Sequence, residues 1–584
     1  MLLFLLGYRS ARIPNLDYTA HARGGNCRIR RIHRWLAGPA GYILRPGMSR
    51  HPGDQGRGAS TTLTRVPLEE AMTQLISRRG FLASTSSTVV FLAAGASLAA
   101  ANQAFQVIVY GATSAGVFAA YAAAREGMKV ALVVGPNPIG GMTANGLSRA
   151  DANEKQPIGG LTGAFFRAMG AHYGLPSAFR FEPHVAEAHF RGLLTEAGIT
   201  VYAQDLLETR PLMMEGNRIR FVKLEDGVQL TAPVYVDCSY EGDLMVAAGV
   251  SYETGRDGQA EYGEPTAGFG LAQSLRTSVD VLTAAGKLIP LVKPFPSTVV
   301  GAADRAVMGY NFRLCLTNDP ADRRPWTRPP NYNSNWYLID LERSFPSDGL
   351  HAGGELLDLP KVDRNNDEPV GENWGYPNGT RARRKSIVDF HRTYQAGRLY
   401  FFATDPRVPQ FYRDSTNEWG LALSEFTDND NWPRQLYVRE TRRMKGVYKL
   451  RQQETSAGAR FDDGVLIWGY DYDSHPVQYL ASPEGKLIIE GSNTAATPGM
   501  GAKRYHLPLR AMLPLERQCR NLIVPVCASV TRVVDCSYRM EPAYMMAGEA
   551  AGICAAHAVL DKVAVQGVDS AGVVQALKDR GAIL

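Results

Sequence analysis

Residues 107 to 134 constrain the fold more than any other stretch of the chain. Val107-Ile108-Val109-Tyr110 is an apolar run of strand length, and Gly111-Ala112-Thr113-Ser114-Ala115-Gly116 follows it directly. An Ala-rich segment from Val117 then has helical composition, and Lys129-Val-Ala-Leu-Val-Val134 reads as a second buried strand. Strand, Gly-containing turn, helix and strand within about 30 residues is the pattern of a dinucleotide-binding βαβ unit. Gly111 permits the tight turn and Gly116 lets helix and strand approach closely. The free amides at the helix start, with the helix dipole, receive a pyrophosphate. Two positions depart from GxGxxG. Thr113 stands at the middle glycine, where its hydroxyl or amide is expected to contact phosphate. Val134-Gly135-Pro136 stands where an acid normally holds the ribose, leaving that role to backbone groups or Asn137.

Later segments fit the same plan. Ile139-Gly140-Gly141-Met142-Thr143-Ala144-Asn145-Gly146 is a Gly-rich loop able to pass close to a flat cofactor. The stretch Val234-Tyr-Val-Asp237-Cys238-Ser239 reads as a strand returning to the sheet and opening a helix, and Asn521-Leu-Ile-Val-Pro525 as a further strand. Ser537-Tyr538-Arg539-Met540-Glu541-Pro542 precedes a segment with Pro at its start and small residues, including Gly548 and Gly552, along one face, the pattern of a close-packed helix.

These landmarks, with Glu182-Pro183-His184, Tyr310-Asn311-Phe312-Arg313, Gln435-Leu436-Tyr437-Val438-Arg439-Glu440, Asp473-Ser474-His475-Pro476 and Tyr505-His506-Leu507-Pro508 in this order, resemble a family of FAD-dependent oxidoreductases, some of whose members carry the label xanthan lyase. The resemblance covers nearly all of residues 104 to 562. It implies an α/β fold: a Rossmann-like FAD-binding domain of the glutathione-reductase type, built from 104–250 and 485–565, with an inserted α+β substrate or cap domain over 251–484 and a tail over 566–584. It implies FAD as cofactor, held by Gly111, Thr113, Ser114, Ala115, Gly116, Gly140, Gly141, Met142, Thr143, Asp237, Arg539 and Glu541. A flavin accumulates charge around N1 and its C2 carbonyl when reduced, so positive potential is needed there. The helix beginning near Glu541-Pro542 and the charge of Arg539 are the expected sources; the alternative makes Arg539 an ion-pair partner of Glu541. No covalent attachment pattern is evident.

Substrate oxidation also needs a base for the proton that leaves with the hydride. His475 is the first candidate, because Asp473 is close enough in sequence to orient its ring; His506 is the second. His184 is expected to pack at a helix start. Residues 440 to 453 look like a charged helix whose Arg442 and Arg443 face solvent, with Arg439 turned inward. Residues 316 to 380, rich in Pro, Asn, Asp, Gly and Trp, read as long structured loops.

Charge and composition bound the partners. The chain has 584 residues, 45% apolar and 21% charged, with a mean hydropathy of −0.19 and a formal charge of +6. The basicity sits at the front: residues 1 to 71 hold eleven Arg and no Lys against four acids, +7, and residues 102 to 584 carry −3. Nucleic-acid binding therefore loses its support. Residues 72 to 101 combine Ser77-Arg78-Arg79-Gly80-Phe81-Leu82 with an apolar run of about 13 residues ending in small side chains. This resembles a twin-arginine export signal, short of the ~20 residues of a membrane helix, with cleavage expected near Ala99 to Ala101. No stable span is expected in the mature chain. Residues 1 to 71 are expected to be a non-native or disordered extension, with Met72 as the true start. Of the seven cysteines, the six beyond Cys27 form no CxxC pair and are expected to be buried free thiols; no metal site is expected.

The function this reading implies is an exported FAD-dependent oxidoreductase, periplasmic or secreted. It acts on a small polar molecule, such as a sugar or polyol derivative, and passes electrons to a quinone, a cytochrome or oxygen. The alternatives are a flavin-dependent reductase of an activated alkene, a polysaccharide lyase or hydrolase with structural FAD, and a binding protein without turnover.

Overall fold

The computed structural model describes residues 102–584, apart from 153–154, 271–272, 344, 351, 357–358, 366 and 493–500, together with three short strands near the N-terminus. The strands Leu36–Gly38, Tyr42–Met48 and Thr61–Pro67 form an antiparallel sheet. The twin-arginine segment and Met72 lie outside the described residues.

The apolar run after the N-terminal region becomes strand β1, Val107–Tyr110, buried at every position. Helix α1, Ser114–Arg125, follows, and β2, Val130–Val133, lies parallel to β1. β3, Thr200–Tyr202, joins on the outer side of β2, and β4, Val234–Asp237, on the other side of β1. The fifth strand, β5, Leu522–Ile523, comes from near the end of the chain and pairs in parallel with β4. The order 5-4-1-2-3 makes a five-stranded parallel sheet, the layout of a Rossmann-like dinucleotide fold. β1, β2 and β4 are buried at every position because both faces of the sheet are covered there, whereas the edge strand β3 is largely exposed. A second sheet joins Asn102–Ala104, just before β1, to Leu212–Glu215, Arg218–Lys223 and Gln229–Thr231 in the connection from β3 to β4.

Helix α2, Glu541–Asp561, lies directly on α1. A Cβ on Gly548 would stand 2.2 Å from the carbonyl oxygen of Ala115, and one on Gly552 2.3 Å from that of Ala119. The small-residue face expected from sequence is thus a helix–helix contact at backbone distance. α2 is long and apolar enough to cross a membrane, but 83% of its apolar window is buried inside the protein.

Between β4 and β5 the chain builds two larger sheets, besides two-stranded pairings. One pairs Gln273–Asp280, Lys486–Glu490, Gln478–Ala481 and Val292–Pro294; the other holds Leu314–Thr317 between Lys361–Arg364 and Gly420–Ala422. Lys486–Glu490 therefore belongs with the inserted segment, and the return to the dinucleotide fold starts later than residue 485. Residues 100–584 cluster as one compact unit. The 24-residue helix Arg381–Thr404 ties the insert to the parallel sheet: Arg384 reaches Asp243, just beyond β4, with contacts of 2.6 and 3.0 Å.

The charged helix expected over 440–453 does not form. Arg442–Met444 is a strand paired with Tyr252–Thr254, and the next helix is Gln452–Ala457. Arg442 and Arg443 are buried rather than solvated, on Asp243 at 2.6 Å and Asp257 at 2.7 Å. These acids lie nearly two hundred residues earlier, so no local charge pattern announces them. All six described cysteines are free and buried.

Candidate active site

The turn after β1 has the shape a dinucleotide needs. Gly111 has φ +88°, and a Cβ on Gly116 would meet the Gly111 carbonyl oxygen at 1.9 Å. The amides of Ser114 and Ala115 precede the first intrahelical hydrogen bond, from Val117 N to Thr113 O, and so belong to the unpaired set at a helix start. The Thr113 hydroxyl is not free for phosphate. It accepts from Gly116 N at 3.2 Å and donates to Cys238 O at 2.8 Å, capping α1 and tying it to the end of β4.

The expected cofactor residues largely converge. The Gly140-Gly141 turn lies against Thr113, whose Cα would be 2.9 Å from a Cβ on Gly141. Three hydroxyls meet the Glu541 carboxyl: Ser114 Oγ at 2.6 Å, Thr143 Oγ1 at 2.7 Å and Tyr240 OH at 2.6 Å. Tyr240 OH also accepts from Met142 N at 2.8 Å. Burial raises the Glu541 pKa against the pull of these hydroxyls. Asp237 does something different: its carboxylate accepts from Ser239 N, Ser239 Oγ and Met245 N, capping the short helix Asp243–Ala247. Asn137 is drawn inward to Glu241 and Gln435, so no acid or free amide at the end of β2 replaces the ribose anchor. The glycine cradle and free amides fit the FAD pyrophosphate.

A second cluster gathers around Tyr437. The guanidiniums of Arg439, Arg539 and Arg313 lie 4.7, 5.5 and 6.0 Å from its ring centroid. Arg539 does not pair with Glu541. It donates to Tyr437 OH at 2.7 Å and to the Asp473 carboxylate at 2.7 Å. Arg313 holds Asp363 at 2.6 Å. Arg439 bonds to neutral oxygens, those of Gly309, Asn311 and Asn365, and has a carboxylate, Glu368, only at 3.9 Å. Burial accordingly pulls its pKa down to about 10. The Nε atoms of Arg439 and Arg539 are buried without a hydrogen-bond partner.

His475 stands at the edge of this cluster. Its orienting carboxylate is Glu368, at 2.5 Å from Nδ1, whereas Asp473 lies 3.7 Å from Nε2. Burial, then the charge of Arg439, lowers the His475 pKa. Burial works to raise Glu368, but His475 and Arg439 outweigh it and bring its pKa to about 2. Nδ1 and the Glu368 carboxylate are thus held as one hydrogen-bonded pair, with Nε2 on the side of Asp473. Glu368 was invisible as a site residue in sequence, inside a loop stretch 107 positions away.

His506 is elsewhere. It sits on the strand Tyr505–Pro508 with its ring over Gly464, and its Nδ1 lies 3.1 Å from Phe461 N. None of these neighbours belongs to the Tyr437 cluster. His184 lies near the start of the helix Pro183–Glu196, with Nδ1 2.7 Å from Glu425. Glu182, His184 and Glu425 are close enough to share a cation, but the Lys361 ammonium bonds Glu182 and lies 3.6 Å from Glu425.

A parallel dinucleotide fold with a Gly-rich phosphate turn and a buried histidine–carboxylate pair defines a nucleotide-cofactor enzyme of the α/β class. The family model described as FAD dependent oxidoreductase matches residues 106–580. The chain belongs to that family; it is an FAD-dependent oxidoreductase and FAD is its cofactor. No curated protein matches it significantly. Solved structures resemble it in part. A geranylgeranyl bacteriochlorophyll reductase-like protein from Thermoplasma acidophilum is 19% identical over 26% of this chain and 43% of its own, with a TM-score of 0.19. An L-amino acid deaminase from Proteus vulgaris is 15% identical over 27% of this chain and 53% of its own, with a TM-score of 0.20. The matched region spans about half or less of these proteins.

Proposed function

We propose that the chain is an exported flavoenzyme that oxidises a small polar substrate, a sugar or polyol derivative, at a CH–OH carbon. Bound FAD supplies the two-electron acceptor at its N5 atom. The observation that carries the reading is the buried His475–Glu368 pair beside Arg539 and Tyr437. Glu368 fixes the tautomer, so His475 Nε2 is the atom that takes the hydroxyl proton. Arg539 and Tyr437 supply donors for the substrate oxygen as charge develops on it. Burial, and after it the charge of Arg439, lowers the imidazole pKa.

In this reading the two extra sheets and the helix Arg381–Thr404 act as a cap that excludes water from the cluster. Electrons leave to a quinone, a cytochrome or oxygen, since an exported enzyme is separated from the cytoplasmic nicotinamide pool. The Arg78-Arg79 segment followed by an apolar run supports export by the twin-arginine route. Anaerobic addition of polyols, sugars, amines and enoates to the yellow holoprotein tests the proposal. Bleaching by an alcohol class supports it. Bleaching by none of them, or reoxidation of the reduced protein by enoates alone, contradicts it.

A further inference from the structure

A cavity of about 450 Å³ opens in the inserted segment, away from the Tyr437 cluster. One wall is a single face of the helix Arg381–Thr404, carrying Asp389, Arg392, Thr393 and Ala396 at helical spacing. The opposite wall is the Pro-rich segment 324–330, with Trp326 and Arg328, and Trp432 closes the inner side. The volume is that of a small-molecule site.

The wall chemistry is specific. Trp326 is fixed by its Nε1–H donating to Thr416 O at 3.0 Å. Trp432 is buried behind it, with Phe312 against its ring at 5.4 Å and the Arg392 guanidinium 5.7 Å from its centroid. Asp430 lies 3.4 Å from Arg392 and 3.9 Å from Arg324, and Asp389 is held by Lys385 at 2.6 Å. Arg328 sits over the Tyr332 ring at 5.3 Å, with no carboxylate partner among the described residues. The three guanidiniums against two carboxylates leave one net positive charge in the cavity.

We propose that this cavity is a second binding site, for a sugar unit bearing one carboxylate. An indole wall offers an apolar face to the C–H side of a pyranose. Arginine, aspartate and threonine side by side offer both donors and acceptors, which a ring of hydroxyls uses and a purely apolar ring does not. The unpaired Arg328 takes the carboxylate in a forked, charge-assisted contact. The two aspartates disfavour a dianion. This inference is independent of the redox reading, because none of its residues belongs to the His475 cluster.

The test is calorimetric titration of the oxidised holoprotein with methyl glucuronide, methyl glucoside and benzoate. Saturable binding of the glucuronide is expected, with the neutral glucoside weaker by about tenfold, as loss of one charged contact implies. Arg328→Gln should bring the glucuronide to the level of the glucoside, with flavin absorbance and melting temperature unchanged, since Arg328 is exposed. The proposal is overturned if the glucuronide does not bind, if benzoate binds as well as the glucuronide, or if Arg328→Gln leaves the glucuronide affinity unchanged.

Discussion

Glu368 Oε1 lies 2.5 Å from His475 Nδ1, joining two loops 107 residues apart in a buried pair. Its geometry sets which ring nitrogen can act. Glu368→Gln keeps the size of the side chain but loses control of the tautomer, so turnover should fall by roughly 10²-fold or more with KM and flavin content little changed. The pH profile separates this from simple damage. Burial and Arg439 hold His475 below its ordinary value of about 6.5, so protonation removes the base only on the acid side of that value. Glu368 pulls the other way, and its loss should move the acid limb to still lower pH.

The contact of Gly548 with Ala115 makes a second prediction. Gly548→Val places a side chain where the Ala115 carbonyl oxygen already lies at 2.2 Å, forcing α2 away from α1. The expected cost is about 1–3 kcal/mol, as for an overpacked core. The shift also displaces the unpaired amides of Ser114 and Ala115 at the start of α1. Melting temperature and the ratio of flavin to protein absorbance should fall together; a variant with full flavin and native melting would show that the contact is not needed.

Much of this was readable from the chain. The unit from Val107 to Val133 is local, with its apolar period and its glycines within thirty residues, and Gly548 and Gly552 marked the helix that packs on it. The chain also singled out His475 and Arg539, but not Glu368 and Tyr437, which the structure places against them. Glu368 lies in a stretch without period, and Asp473, the sequence neighbour, proved to belong chiefly to Arg539. Arg442 and Arg443 looked solvated because their acids, Asp243 and Asp257, are distant in sequence. His506 shows the converse: closeness along the chain to the second FAD segment did not bring it to the site.

Buried acids give a pH effect on stability. Burial pushes Glu549 up to about 7, although its carboxylate accepts from Leu161 N at 2.9 Å. An unfolded glutamate titrates near 4.3, so between these values the native state holds a proton that the unfolded state has lost. The stability this acid contributes is complete below the unfolded value and is lost as pH rises through about 7. Buried histidines such as His391, lowered to about 4 by burial, act in the opposite direction, so the readout is a difference. Glu549→Gln should gain stability relative to the parent as pH rises from 5 to 7.5. A constant difference in melting temperature would contradict the assignment.

The role of His475 as the proton acceptor is tested most directly by the single-turnover rate of flavin bleaching in the parent and in His475→Ala, with the same substrate and equal flavin content. The account predicts a fall of roughly 10²- to 10⁴-fold, the usual contribution of a positioned base, with the flavin spectrum before mixing unchanged. Equal rates in the two proteins would contradict it.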